Sequence, residues 1–259
     1  MKRLLTLITA ILFLLILSAC QPKTEVKWLE TSVTQEYIGT LTFRSETEYD
    51  ENGLKTMFIQ YTDGEEISRV EYTYTANEII GKTTQNGETG IIRQKYEKDD
   101  SGNITRLEMY VDDVLYSVTE NTYNDQDQLL SSTQETIATE NQYTITYTYD
   151  DEGNAIRLVY DYGNGIGSIA ENTFDDNGNL ITCVTSDLQG SIRRREEHTL
   201  NEDGVEIIRI LEPEVNRISV RYDTKDEHGN LLLSETYDEN GELMVRVTYT
   251  YERFEIPVK

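Results

Sequence analysis

The sequence predicts an all-β protein: about eight antiparallel β-hairpins of 25 residues each, forming one long curled or coiled meander sheet. Three observations carry that expectation. Turn signals recur at a fixed period, the segments between them alternate apolar and polar residues, and no helix-period stretch of useful length follows residue 20. Only 3 prolines interrupt the 259 residues.

The first element is a secretory leader. The chain opens MKRLLTLITAILFLLILSAC, with Lys2 and Arg3 ahead of an apolar run from Leu4 to Leu17. A short basic end, an apolar core and small residues make a signal peptide and not a membrane span. Leu17-Ser18-Ala19-Cys20 resembles the lipobox of bacterial lipoproteins. That resemblance implies cleavage before Cys20 and attachment of a diacylglyceryl group, with chains such as palmitate, to its sulfur. Two or more acyl chains hold a protein at a membrane stably, where one does not. Residues 1–19 are thus read as the signal peptide, 20–34 as a lipidated tether around the isolated Trp28, and 35–259 as the hairpin-repeat domain.

Within that domain the anchors Tyr49, Tyr74, Lys98, Tyr123, Tyr149, Phe174, Leu200 and Lys225 follow one another at intervals of 24–26 residues. Each precedes a turn: DENG, TANE, DDSG, NDQD, DDEG, DDNG, NEDG and DEHG. Asp or Asn opens such a turn by accepting hydrogen bonds from its own backbone, and glycine supplies the positive φ that closes it. Asp127 and Glu78 stand where two units lack that glycine. Asp tolerates a left-handed backbone better than Glu, so the unit with Glu78 is expected to use a different turn. A weaker set of turns, including Asp63-Gly64, Asn86-Gly87 and Asp112-Asp113, halves each unit, giving about sixteen strands. Tyr143-Thr-Ile145-Thr-Tyr147-Thr-Tyr149 and Leu243-Met-Val245-Arg-Val247-Thr-Tyr249-Thr-Tyr251 alternate as half-buried strands do. An open twisted sheet seldom passes about ten strands without curling, so the Tyr/Leu/Val face is expected inward.

The units YTYDDEGNAI, NTFDDNGNLI and ETYDENGEL resemble the YD repeats of the Rhs family, whose motif is Tyr-x-Tyr-Asp-x-x-Gly. The resemblance covers about residues 43–251. It implies a spiral β-sheet wall that does no chemistry itself. Asn154, Asn179 and Asn230 stand where that family commonly has arginine, and its period is nearer twenty residues.

Charge sets further bounds. Cleavage removes Lys2 and Arg3 and no acids, leaving 21 basic against 48 acidic side chains, about −27. Such a surface repels nucleic acid and anionic lipid. With Cys20 acylated, Cys183 is the remaining cysteine, read as a buried structural thiol in an apolar strand. His198 and His228 are read as ordinary surface histidines, too far apart in sequence to suggest a zinc pair or a triad. Glu97-x-Asp99-x-Ser101-Gly102, with Glu108, comes nearest to a calcium loop, but hairpin turns explain it without an ion. No hydrolase, phosphate-loop or dinucleotide motif occurs. An outer-membrane barrel with its aromatic face outward is the rival architecture. Residues 191–198, Ser-Ile-Arg-Arg-Arg-Glu-Glu-His, argue against it because neither face of that strand is apolar, and a charge facing lipid at mid-depth costs about 2–4 kcal/mol.

The sequence therefore leads to a non-enzymatic, lipid-anchored envelope or cell-surface protein, with no catalytic, cofactor or metal residues assigned. Its repeat sheet would bind or scaffold an envelope protein or polysaccharide. The alternative is a glycan-binding lipoprotein that uses exposed tyrosines, with or without calcium.

Overall fold

The computed structural model describes residues 26–38 and 40–255. The signal peptide, Cys20 and the start of the tether lie outside the described residues. Eighteen strands follow in chain order. They are β1 (Val26–Tyr37), β2 (Leu41–Tyr49), β3 (Lys55–Thr62), β4 (Glu65–Tyr74), β5 (Glu78–Gln85) and β6 (Glu88–Lys98). Next come β7 (Ile104–Val111), β8 (Val114–Tyr123), β9 (Leu129–Thr136), β10 (Asn141–Tyr149), β11 (Ala155–Asp161) and β12 (Gly167–Phe174). The last are β13 (Leu180–Asp187), β14 (Ile192–Leu200), β15 (Glu206–Glu212), β16 (Arg217–Lys225), β17 (Leu231–Asp238) and β18 (Leu243–Glu255).

Each strand pairs antiparallel with the next, and β1 pairs with both β2 and β18. The sheet therefore closes into a barrel and is not the open, coiled meander expected from the sequence. The strand that closes it was read largely as tether: β1 begins at Val26 and brings Trp28 and Val33 into the wall. Nothing in its sequence carries the repeated turn, so the period alone could not find it. Closure satisfies both edges at once, which no degree of curling achieves.

All eight anchor residues are the last residues of the even strands β2 to β16. In five of the eight units one Asp carboxylate builds the turn that follows, and the Asn124 and Asn201 side-chain carbonyls do the same in two more. In DDEG the Asp150 N–H donates to the Asn154 carbonyl, and Gly153 N–H donates back to the Asp150 carbonyl, at 3.0 and 3.1 Å. Asp150 Oδ1 accepts from the backbone N–H of Glu152 and Asn154, and Asn154 Nδ2 donates to Oδ2. Gly153 has φ +90°, the conformation that glycine adopts without strain. The register slips by one residue before the turn, between Thr148 and Tyr149, as in a type I turn closed by a bulge. Asp127 takes the glycine's place at φ +60° and keeps its hydrogen bond, to Asn124. The Glu78 unit does use another turn: Thr75 N–H donates to the Glu78 carbonyl and the register does not slip.

Following the register around the wall sorts side chains into two faces. Every residue of the buried set, from Thr47, Phe58, Ser68 and Val70 to Ser219, Asp223 and Ser234, lies on one of them, apart from Ile59. Closing a sheet crowds the concave face and spreads the convex one, so this is the inside. Phe58, Val70, Ile92 and Met109 form an apolar cluster there, with Tyr72, Val111 and Tyr116 packed on it. At about 4.8 Å between strands and a tilt of 35–45°, eighteen strands enclose a barrel roughly 35 Å across its backbone. Among the described residues, the hydrogen bonds, ion pairs and ring contacts join neighbouring parts of the wall and do not cross the interior.

Candidate functional site: the charged arc of the inner wall

The two faces differ in chemistry. Outward-facing positions alternate acids and bases at mid-strand: Arg69 with Glu66, Arg106 with Glu108 and Glu120, Arg195 with Glu197, and Arg246 with Glu235. These pairs are a third or more exposed on at least one side, so each adds little stability, but together they make the outer wall a water-loving surface.

The inner wall is mostly Tyr, aliphatic, Ser, Thr and Gln. Near the rim that carries the Asp turns, tyrosine hydroxyls donate to carbonyls on the adjoining hairpin: Tyr49 to Glu30, Tyr96 to Ala76, Tyr123 to Ile104 and Tyr149 to Leu129, at 2.8–3.1 Å. Burial, reinforced by the Glu30 charge, pushes the hydroxyls of Tyr49 and Tyr251 up to about 12. Burial likewise raises Glu30 and lowers Lys55, each partly offset by the other's charge. These hydroxyls clamp one hairpin to the next.

One arc of the inner wall departs from this pattern. Arg194, Glu196 and His198 on β14 face inward with Glu206 on β15 and with Arg221, Asp223 and Lys225 on β16. They form a chain of contacts. Arg194 Nε donates to Glu196 Oε1 at 2.6 Å. Glu196 Oε2 faces His198 Nε2 at 3.4 Å, and His198 Nδ1 lies 2.8 Å from Glu206 Oε1. Lys225 Nζ donates to Glu206 Oε2 at 2.8 Å. Alongside, Arg221 pairs with Asp223, which accepts from the Ser234 hydroxyl at 2.6 Å. Burial alone would raise Glu206, but hydrogen bonds from Lys225 and His198 outweigh it and hold its carboxyl below the usual range.

His198 was expected at the surface, yet its side chain is only 8% exposed. The period-two reading placed it among charged neighbours and so outside. The inward face of β14 is itself charged, which hydropathy cannot distinguish from an outward one. His228 sits in a rim turn and stacks on Trp28, with ring centroids 4.8 Å apart. Cys183 is half-buried on β13, directly opposite Glu196 in the register. Burial, with the Glu196 charge, pushes its thiol up, which disfavours the reactive thiolate. The calcium-loop candidates do not converge: Asp99 is occupied by Asn103, while Glu108 is on the outer wall with Arg106 and Tyr110.

The turn carboxylates provide a test of the fold. Side-chain hydrogen bonds from Asn154, Asn179 and Asn230 hold Asp150, Asp175 and Asp226 below the ordinary carboxylate range. Groups with depressed folded-state values stabilise above their unfolded value, near 3.9, and lose that contribution as pH falls through the folded values. Thermal melts should therefore fall steeply below about pH 4. A D150N/D175N/D226N variant should fall less steeply, because Asn keeps the acceptor, as Asn124 and Asn201 already do in their turns. Parallel curves for variant and parent would show that these carboxylates do not govern acid stability.

Comparison with solved structures agrees with the closed wall. A porin-like protein from Bacteroides uniformis ATCC 8492 matches at 13% identity and a TM-score of 0.50, over 89% of this chain and 99% of that one. A porin-like protein from Bacteroides vulgatus ATCC 8482 matches at 12% identity and a TM-score of 0.35, over 87% and 99%. TcdB2-TccC3 without its hypervariable C-terminal region matches at 14% identity and a TM-score of 0.34, over 77% of this chain and 14% of that one. Of these three only the first bears on the architecture, and it supports a single antiparallel barrel of sequential hairpins. No curated protein matches the chain. The resemblance to YD repeats does not hold, because the family model that matches is a different one and the wall closes on itself. The shared Tyr-Asp-x-x-Gly wording is accounted for by turn chemistry: any hairpin that uses this bulged turn needs an Asx opener and a glycine closer. Residues 30–176, more than half of the chain, match the model of a family described as "Uncharacterised protein", and the chain belongs to that family.

Proposed function

We propose that this is a lipid-anchored, non-enzymatic protein on the extracytoplasmic face of a bacterial envelope, whose barrel stands in water as a binding or scaffolding body. The observation that carries this reading is the outer wall, with its acid–base pairs at mid-strand where a lipid-facing barrel would need an apolar band. Porin-like architecture fits an envelope setting, and the lipobox supplies an attachment that a spanning barrel would not require. Both described ends, Val26 and Glu255, meet at the rim of Asp turns, so Cys20 would hold that rim toward the membrane. The partner is an envelope protein or polysaccharide. The net charge of −25 disfavours nucleic acid.

The test uses the full chain in detergent micelles, added to envelope fractions from its own cell. Saturable binding abolished by protease treatment is the expected result. Loss only after glycan digestion would favour a polysaccharide partner. No saturable binding at micromolar concentration would overturn the ligand reading and leave a passive wall.

A further inference from the structure

The two rims differ in what they hold out to solvent. At the rim that ends the even strands, the turns DENG, DDSG, NDQD, DDEG, DDNG, NEDG and DEHG contain no large apolar side chain. At the opposite rim, five successive hairpins each expose one. Val114 opens β8, Ile137 follows β9, Tyr162 and Ile166 join β11 to β12, Ile192 opens β14, and Val215 lies between β15 and β16. Val114, Ile166 and Val215 are 69%, 65% and 66% exposed, although turn chemistry calls for no aliphatic side chain there. Single exposed apolar residues are ordinary, but one on every hairpin from β7 to β16 makes a stripe. Successive tips are two strands, about 10 Å, apart. Carboxylates accompany them: Asp112 near Val114, Glu140 near Ile137 and Asp161 next to Tyr162. The bases at this rim are engaged by the protein's own acids, Arg93 by Asp113, Arg193 by Asp187 and Glu214, and Arg217 by Glu212.

We propose that this stripe is the docking surface for a basic polypeptide segment that carries apolar side chains. On contact the tips lose water, and Asp112, Glu140 and Asp161 meet the partner's lysines and arginines. A second copy of this chain is a poor occupant, because it brings the same net charge of −25. Anionic lipid is repelled for the same reason, and a bilayer that took in the tips would take in the neighbouring carboxylates as well. The tips follow the curve of a barrel roughly 35 Å across, so an occupant that reaches all of them must bend. An extended segment does so, and a straight helix does not. The inference names the partner class of the binding body proposed above and rests on that reading. With the rim of Asp turns held toward the membrane, this rim faces away from it.

The test uses the full chain in detergent micelles, with empty micelles as the blank, and two synthetic probes of equal length and charge. One is a Lys/Val peptide and the other a Lys/Gly peptide. The Lys/Val peptide should bind about tenfold more tightly, and both affinities should fall as salt rises. V114S/I166S/V215S should remove the tenfold preference and leave the thermal melt unchanged, since all three side chains are exposed. L54S/L200S, two exposed leucines at the other rim, should keep the preference. Equal binding of the two probes by the parent, or a preference that survives V114S/I166S/V215S, would overturn the surface. Equal binding together with envelope binding lost only after glycan digestion would overturn it in favour of a polysaccharide. A preference that depends on the rim, with no saturable binding to envelope fractions, would uphold the surface and sink the envelope-partner reading instead.

Discussion

Cys20→Ala is expected to move the chain from the membrane fraction to the soluble fraction, changing its distribution by about tenfold or more. If acyl chains alone hold the protein, removing their attachment leaves a barrel whose outer face carries Arg44, Arg69, Lys82, Arg106, Arg157 and Arg246, each beside an acid. Basic side chains at the bilayer midplane cost about 2–4 kcal/mol each, so such a wall cannot remain in lipid unaided. Fractionation before and after a high-salt wash gives the distribution, and planar-bilayer recordings give a second readout with no stepwise conductance expected. Retention of the Cys20→Ala chain after the wash, or well-defined conductance steps, would instead mean a barrel that spans the membrane.

The local half of this structure is written in the residues themselves. Tyr49, Tyr123 and Tyr149 end their strands because an Asx-opened turn follows each one, and that chemistry is complete within five residues. Even the exceptions were legible: Asp127 keeps the turn and Glu78 abandons it, as the steric cost of a left-handed backbone dictates. What escaped were facts held between distant residues. Closure depends on β1, whose pairing with β18 joins Thr31 to Thr250, 219 positions apart. A long sheet must curl, but strand count and tilt together decide whether its edges meet. His198 was misplaced for a related reason. Alternation identifies two faces but not which is concave, and β14 is charged on both. The charges on β14 that spoke against a barrel in the sequence did not prevent the wall from closing into one.

Val33→Pro is expected to cost about 2–4 kcal/mol and to convert a monodisperse barrel into a self-associating one. Val33 pairs with Tyr249 on one side and Ser45 on the other, so no orientation of its N–H escapes the ladder. Proline there removes the donor and leaves a carbonyl on a neighbouring strand unpaired. Thr31 provides the control two residues away. It falls where the register slips between Glu30 and Ser32, and it lies beyond the stretch of β1 that pairs with β2. Proline is tolerated at such bulges, so Thr31→Pro should lose little beyond the side-chain contact to Thr250. The contrast matters because β1 is the wall's final seam. Weakening it exposes the edges of β2 and β18 together, and two long unpaired edges are templates for joining other copies. Light scattering alongside thermal melts would separate the outcomes. A lower melting temperature with concentration-dependent growth in size for Val33→Pro alone is the signature of an opened seam. Equal effects at both positions would mean that the remaining strands hold the barrel's shape without β1.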